Sequence, residues 1–250
     1  MPATSSTVPC KFVLPFVGRK KEVSRLQRLH AQGKHALILG PPGVGKTALV
    51  NHLKAGLGLL LCPQSGHVGS ICESLEPQLG LARRDLKLVQ RKQHLRQALA
   101  QAGRTVVFDG VNWTTPKLSS FLELAMERAP IWICARSEHA HDIGHFWTWL
   151  VRFEKIQLHA FQPAQTRELV MAAIQAGQIP REAMNIVQWL HRRSNGSPLI
   201  LRQLFEELAA LSYDLGNPRA LRRLDLDRRI HQVFPIATHS APPGRRSETR

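Results

Sequence analysis

The eight residues GPPGVGKT, at positions 40–47, constrain the fold of this chain more than any other stretch. They match the pattern GxxxxGK(S/T) in full. The glycines let backbone N–H groups turn inward around phosphate oxygens, where a side chain would collide. Lys46 is spaced to reach the β- and γ-phosphates of a nucleotide, and the Thr47 hydroxyl is spaced to hold Mg²⁺. The residues that the motif assigns to nucleotide binding are Gly40, Pro41, Pro42, Gly43, Val44, Gly45, Lys46, Thr47 and Ala48.

The sequence around this loop has the context that the motif requires. The apolar run ALIL directly before the loop predicts a short buried strand, and the residues from Lys46 onward predict a helix. A helix that opens on the loop directs its positive N-terminal end at a bound phosphate. The sequence therefore predicts a phosphate-binding loop rather than only a tight turn.

Strands and helices alternate between residues 17 and 158. Such alternation predicts an α/β fold with a five-stranded, mostly parallel sheet that helices cover on both faces. The strands are predicted at residues 35–39, 58–62, 105–109, 131–135 and 155–158. The helices include a long basic one at residues 85–102 and a histidine-rich one at about residues 140–152.

After Gln162 and Pro163 the pattern contains helices only, at residues 166–176, 181–193, 198–213 and 220–233. This change predicts a small all-helical second domain. We therefore expect a flexible lead-in at 1–15, an α/β domain at 16–162, a helical domain at 163–234 and a disordered basic tail at 235–250.

The strand VVFD ends in Asp109, where the strand that accompanies a phosphate loop supplies a carboxylate to Mg²⁺ through water. Thr47 and Asp109 are therefore the predicted metal-site residues. Many ATPases of this kind carry a second acid directly after that aspartate to orient the attacking water, and here the position is Gly110. Asn112 and Glu138 are the two candidates to take the role of that second acid. The sequence thus supports nucleotide binding more strongly than fast hydrolysis.

Four stretches, FVGRKKEV, GPPGVGKT, VVFDG and RFEKIQL, follow one another in an order that resembles AAA+ and STAND-type P-loop ATPases. The resemblance covers residues 16–211, most of the chain. It implies a P-loop strand in the middle of the sheet, a helical lid as the second domain, and ATP with Mg²⁺ as ligands. It also implies that Val17 and Gly18 lie beside the adenine.

The same resemblance implies residues that sense the γ-phosphate. Arg136 follows the fourth strand, where such proteins place a polar residue or an arginine. Arg152 precedes the fifth strand, where AAA+ rings carry the arginine finger that reaches a neighbour's nucleotide; a surface arginine that ends a helix is the alternative. In the lid, Gly196 and Pro198 resemble the GxP of STAND proteins, and Arg202 is open as a lid arginine.

Charge points to a second partner. The chain carries 34 Lys and Arg against 18 Asp and Glu, a net charge of +16, which favours a polyanion such as nucleic acid. The basic helix at 85–102 is suited to tracking a phosphate backbone; a solvated face with leucines behind it is the alternative. The residues assigned to nucleic acid are Arg84, Lys87, Arg91 and Lys92.

The sequence gives no sign of a membrane protein or an exported one. No apolar run approaches the roughly 20 residues that span a bilayer, and the first residues lack the charged start and apolar stretch of a secretory signal. The four cysteines show no CxxC spacing. We therefore expect a cytoplasmic protein. His141 and His145 would share a helix face, but no distant Cys or His pair completes a metal site.

Three hypotheses follow for function. The first is an ATP-hydrolysing switch that forms homo-oligomers with nucleotide and acts on DNA, as initiator, loader and transposition-helper ATPases do. The second is a regulatory module that holds ATP or ADP with negligible turnover and recruits a protein partner. The third, a small-molecule kinase, is the weakest because no acceptor site is evident.

Overall fold

The computed structural model describes residues 12–81 and 86–233. Its centre is a sheet of five parallel strands in the order β2-β3-β4-β1-β5. The strands are β1 (Ala36–Leu39), β2 (Leu60–Cys62), β3 (Val106–Phe108), β4 (Ile131–Ala135) and β5 (Glu154–Gln157). The predicted α/β fold with the phosphate-loop strand inside the sheet is therefore confirmed, with strand ends that differ by one or two residues.

Helices connect the strands and continue after the last one. α1 (Lys20–Ala31) precedes β1, and the helices between strands are α2 (Lys46–Leu57), α3 (Val68–Leu75), α4 (Leu88–Ala102), α5 (Pro116–Met126) and α6 (Ala140–Ile143). Those after β5 are α7 (Pro163–Gln175), α8 (Val187–Ser194), α9 (Pro198–Ala210) and α10 (Pro218–Val233). Short 3-10 helices lie at Pro77–Leu79, His145–Arg152 and Arg181–Ile186. Within the described ranges, no helix combines the length and apolarity needed to cross a bilayer.

The side chains of β1 pack alternately into the two buried layers on either side of the sheet. Successive side chains of a strand point to opposite faces. Leu37 and Leu39 pack in one buried cluster with α3, α4 and α5, whereas Ala36 and Ile38 pack in another with α1 and α2. Because both faces are covered, the central strands read as unbroken apolar runs, and all five residues of β4 are buried.

A third buried cluster holds the helices after β5 together. Its largest members include Phe161, Leu204 and Phe205. Residues that precede α1 reach the same cluster, where the Phe12 ring meets the Phe205 ring edge-on with 6.4 Å between centroids. The chain before α1 therefore lies against the helices that form the last part of the molecule.

One predicted helix is wrong. The histidine-rich segment at residues 140–152 is divided at Gly144 into α6 and a 3-10 helix, so His141 and His145 do not share a continuous α-helical face. Gly144 has a φ of 72°, and a β-carbon there would lie 2.6 Å from the Thr114 carbonyl oxygen. The close approach of the Thr114 backbone, which no periodicity reports, forces the break.

Candidate active site

The loop between β1 and α2 is built mainly from its backbone. Gly43 and Gly45 have φ values of 79° and 101°, which side-chain-bearing residues rarely adopt. A β-carbon on Gly40 would lie 2.8 Å from the Leu158 carbonyl oxygen. The Lys46 Nζ donates to the carbonyl oxygens of Gly40, at 2.6 Å, and Pro41, at 3.1 Å. The loop thus wraps around its own lysine at the N-terminus of α2, where a phosphate binds favourably.

Arg19 connects this loop by hydrogen bonds to the segment that follows β5. The sequence motifs gave no role to this residue. Its Nη2 donates to the carbonyl oxygens of Val44, at 2.9 Å, and His159, at 2.7 Å, while its guanidinium lies 4.9 Å from the Phe161 ring centroid. Burial lowers the pKa of Arg19, and Glu22 opposes that effect. Its place directly after Val17 and Gly18 in FVGR was the signal available in the sequence.

A first cleft, of about 700 Å³, lies between the phosphate loop and α9. Phe16 forms one part of it and stacks on His52 of α2 with 4.0 Å between ring centroids. The backbone N–H of Leu199 donates to Gly43 O at 3.2 Å, so α9 touches the loop directly. The predicted site residues that line this cleft are Val17, Gly43, Val44, Gly45, Lys46, Thr47, Ala48 and Pro198.

Two further residues differ in their relation to this cleft. Gly18 is not among the residues that line it, and its carbonyl oxygen accepts a hydrogen bond from Gln165 Nε2 of α7. Arg202, left open by the sequence, lines the first cleft from α9 and forms an ion pair with Glu206 at 3.4 Å. The first cleft thus has one lysine from the loop and one arginine from the last helical part.

A second cleft, of about 560 Å³, lies on the other side of Lys46, at the carboxyl ends of β3 and β4. In it the Thr47 Oγ1 donates to Asp109 Oδ2 at 2.6 Å. The predicted metal-site pair is therefore brought together by α2 and β3. A hydroxyl and a carboxylate are oxygen ligands of the kind that Mg²⁺ prefers, so these residues fit the ion that the fold family implies.

Burial shapes the electrostatics of this cleft. It lowers the pKa of Lys46, an effect that Cys134 and Asp109 oppose. The Cys134 thiol, fully buried at the end of β4, has its pKa raised by burial and by the neighbouring Asp109. Lys46 and Asp109 are therefore two of the charged side chains of the cleft, and the Cys134 thiol packs beside them.

The wall opposite the phosphate loop consists of the segments that follow β3 and β4. Asn112 and Trp113 come from the first segment, and Arg136 and Asp142 from the second. Glu138, the other substitute considered for the missing acid, forms an ion pair with Lys155 of β5 instead. The structure thus places Asn112 and the predicted sensor Arg136 in the cleft, together with an aspartate to which sequence reasoning gave no part in nucleotide chemistry.

Arg152 lies apart from both clefts. It ends the 3-10 helix before β5, is exposed, and its guanidinium lies 5.8 Å from the Trp149 ring centroid. Its charge also lowers the pKa of His35, an effect second to that of burial. The structure therefore brings Arg152 into neither cleft of its own subunit.

The predicted nucleic-acid residues have unlike surroundings. Lys87 is exposed and caps α4, and Lys92 is half-buried on the same helix. Arg91 makes two hydrogen bonds to Glu76, each of 2.8 Å, which raise the pKa of Arg91. Arg84 lies outside the described residues. The guanidinium of Arg91 is therefore used within the protein.

With this geometry in place, the loop, sheet and helical cover define a P-loop nucleotide-binding fold. Similarity to solved structures shows which kind of P-loop fold this chain has. This chain is similar to the Orc1 protein of Aeropyrum pernix in complex with DNA, with 14% identity, a TM-score of 0.60, and coverage of 88% of this chain and 67% of that one. It is also similar to a Walker-type ATPase of Pyrococcus abyssi, with 13% identity, a TM-score of 0.57, and coverage of 87% and 73%.

A RuvB mutant of Thermotoga maritima is similar at 18% identity, with a TM-score of 0.54 and coverage of 87% of this chain and 69% of that one. Neither a protein-family model nor a curated protein matches the sequence. The chain therefore has the fold of the AAA+ P-loop ATPases, and the AAA+ resemblance of its motifs is confirmed at the level of the fold.

Proposed function

We propose that this protein binds and hydrolyses ATP as an AAA+-like switch that oligomerises with nucleotide and acts on DNA. The observation that carries the proposal is the hydrogen bond from Thr47 to Asp109, directly beside the Lys46 ammonium. A lysine for phosphate and a hydroxyl–carboxylate pair for Mg²⁺ are what the binding of a nucleotide with its metal ion needs in one place, and hydrolysis starts from that complex.

The two clefts suggest how ATP would lie. The first cleft, with Phe16, Val17 and Pro198, is the larger and more apolar of the two and suits the base and ribose. The second cleft, with Thr47, Asp109 and Arg136, suits the γ-phosphate and Mg²⁺. When bound, Mg²⁺ would offset the negative charge of the phosphates. Lys46 lines both clefts and would hold the phosphates between them.

Contact between α9 and the loop supports a switch. Gly43 accepts a hydrogen bond from Leu199, so the position of the helices in the proposed 163–234 lid is linked to the shape of the loop. Arg202 adds a positive charge on the lid side. A γ-phosphate in the clefts would therefore favour the closed arrangement of lid and loop, and its loss would weaken it.

Assembly is proposed through Arg152. Because it is exposed and lies apart from both clefts of its own subunit, it is suited to reach the γ-phosphate of a neighbouring copy. The net charge of +16 supports DNA as the polyanion on which copies assemble. The solved Orc1 structure that this fold resembles is a complex with DNA.

The test is ATP turnover measured with and without double-stranded DNA, followed by sizing in a non-hydrolysable ATP analogue. We expect turnover that Lys46→Ala abolishes, and a larger species with the analogue that Arg152→Ala prevents. Arg128→Ala, an exposed arginine after α5, is the matched control for the second result. Tight ATP binding without turnover or DNA retention would instead select the regulatory module that recruits a protein partner.

A further inference from the structure

The position after Asp109 supplies no carboxylate, because it is Gly110. Gly110 has a φ of 67°, in the left-handed region, where a residue with a β-carbon costs about 1–2 kcal/mol. The turn that it makes sends the next residue to β4, where the Val111 N–H donates to Cys134 O at 3.0 Å. A carboxylate that orients the attacking water must therefore come from another segment.

Only two carboxylates line the second cleft within residues 12–81 and 86–233, Asp109 and Asp142. Asp109 accepts the Thr47 hydroxyl and is assigned to the metal. Glu138 stands four residues before Asp142 and forms its ion pair with Lys155. Asp142 is the carboxylate that remains on the wall facing the phosphate loop.

Asp142 is held by the segment in which the family carries its second acid. The Trp113 N–H donates to Asp142 O at 3.0 Å, and the Thr114 N–H donates to Ile143 O at 2.8 Å. Trp113 adopts a φ of 43°, which is uncommon for a residue with a side chain and places its N–H on Asp142. The segment after β3 thus fixes the backbone at Asp142 through its carbonyl oxygen, while Ser137 holds the carboxylate itself.

The surroundings of Asp142 keep its carboxylate ionised, which is the state that a general base requires. The Ser137 hydroxyl donates to its Oδ2 at 2.5 Å and holds the pKa of Asp142 below its usual range; burial opposes this, and His141, Arg136 and His139 add to it. The carboxylate is therefore ionised at neutral pH. Asn112, in the same cleft, can orient water through its amide but cannot accept a proton.

We propose that Asp142 orients the attacking water and accepts its proton during ATP hydrolysis, in place of the acid absent at Gly110. The water oxygen forms a bond to the γ-phosphorus, and the bond from that phosphorus to the β–γ bridging oxygen breaks. The bridging oxygen keeps the electron pair and leaves within ADP. One water proton stays on the phosphate product, and the other passes to Asp142 and then to solvent. This inference rests on the proposed ATPase function.

The first test compares Asp142→Asn with Glu138→Gln in the full chain. We expect Asp142→Asn to lower kcat by about 100-fold or more, the usual contribution of a positioned general base, while ATP affinity stays unchanged. Glu138→Gln should keep wild-type kcat because that carboxylate contacts Lys155. Wild-type turnover in Asp142→Asn would overturn the role of Asp142 alone. A wild-type protein that binds ATP without turnover would overturn the proposed hydrolysis as well.

The second test uses Ser137→Ala and does not depend on Asp142→Asn folding. Removal of the hydroxyl takes away the hydrogen bond that lowers the Asp142 pKa, so that pKa rises. A base must be ionised to act, and the acidic limb of the kcat–pH profile should therefore move to higher pH. An acidic limb at the wild-type position would show that Asp142 only supports the wall and would overturn the proposal.

Discussion

The two sides of the second cleft were predictable from the sequence to very different degrees. On the loop side, Lys46 and Thr47 begin α2 directly after the glycine loop, and Thr47 meets Asp109 at 2.6 Å. On the opposite wall, Gly110 turns away and Glu138 pairs with Lys155. Asp142 occupies the wall instead. The first side is built from glycine backbone and the second from side chains that distant segments bring together.

This difference has a physical reason. A glycine pattern specifies backbone conformations directly, because few other residues adopt them, so spacing along the chain is enough. The role of a side chain depends on which other side chains lie within contact distance, and these neighbours are set by the tertiary structure. Variants on each side, and at the lid and α4, test how far the distinction extends.

The largest effect is expected at Lys46, the charged side chain of the backbone-built loop. Lys46→Ala should lower ATP affinity about 100-fold, because a hydrogen bond to a charged group contributes about 1.5–3 kcal/mol and Lys46 is the loop's only cation. Calorimetric ATP titration measures this, and a circular-dichroism melt checks that the fold is retained. Lys54→Ala, an exposed lysine on the same helix, is the control and should bind ATP normally. Unchanged affinity in folded Lys46→Ala would contradict the phosphate-loop assignment.

The second-largest effect is expected at Asp109, the hydrogen-bond partner of Thr47 in the second cleft. Asp109→Asn keeps an oxygen for the Thr47 hydroxyl but removes the charge that Mg²⁺ requires. We expect turnover to fall about 10- to 100-fold and its dependence on Mg²⁺ concentration to weaken, while much of the Mg²⁺-free ATP affinity remains. Glu73→Gln, an exposed carboxylate on α3, should behave as wild type. Wild-type Mg²⁺ behaviour in Asp109→Asn would mean that another residue holds the ion.

The same distinction explains what the sequence could and could not predict. Patterns of apolar residues predicted the strands, and β4 at residues 131–135 has the predicted ends, because burial on both faces leaves a clear run. Thr47 and Asp109 were expected at one metal site because a phosphate loop is normally accompanied by a strand that ends in an aspartate. The break at Gly144 was not predicted, because it depends on the Thr114 backbone, whose carbonyl oxygen would lie 2.6 Å from a β-carbon at that position. Arg19 and Asp142 were missed as site residues because no motif marks them: Arg19 reaches the loop through the carbonyl oxygens of Val44 and His159, and Asp142 enters the second cleft only through the fold.

A smaller effect separates loop backbone from ordinary helix backbone. A β-carbon on Gly43 would lie 2.8 Å from Leu199 Cβ of α9, at a φ of 79°. Gly43→Ala should therefore cost about 1–2 kcal/mol of unfolding free energy and weaken ATP binding by displacing α9. Gly56→Ala, in α2 with no atom near the added methyl group, should instead stabilise by about 0.5–1 kcal/mol. Urea unfolding of both variants measures the difference, and equal midpoints would contradict it.

The smallest effect tests whether α4 has one kind of basic residue or two. Lys87 is exposed and suited to a phosphate, whereas Arg91 is bound to Glu76, which is only 8% exposed through its side chain. If α4 tracks nucleic acid, Lys87→Gln and Lys92→Gln should each reduce the slope of log affinity against log salt by about one unit. Each variant neutralises one phosphate fewer, so fewer counterions are released on binding. Arg84→Gln is expected to do the same from its place in the sequence.

Arg91→Gln should have the opposite pattern. It leaves a buried carboxylate without its two hydrogen bonds, so unfolding free energy should fall by about 1–3 kcal/mol while the salt slope stays unchanged. The measurements are urea unfolding and DNA retention from about 50 mM salt upward. A slope reduced by Arg91→Gln as much as by Lys87→Gln would show that the ion pair opens on DNA. An unchanged slope in all four variants would show that α4 does not contact DNA. Any DNA binding that the net charge of +16 supports would then have to come from other surfaces, such as Arg152 and the lid.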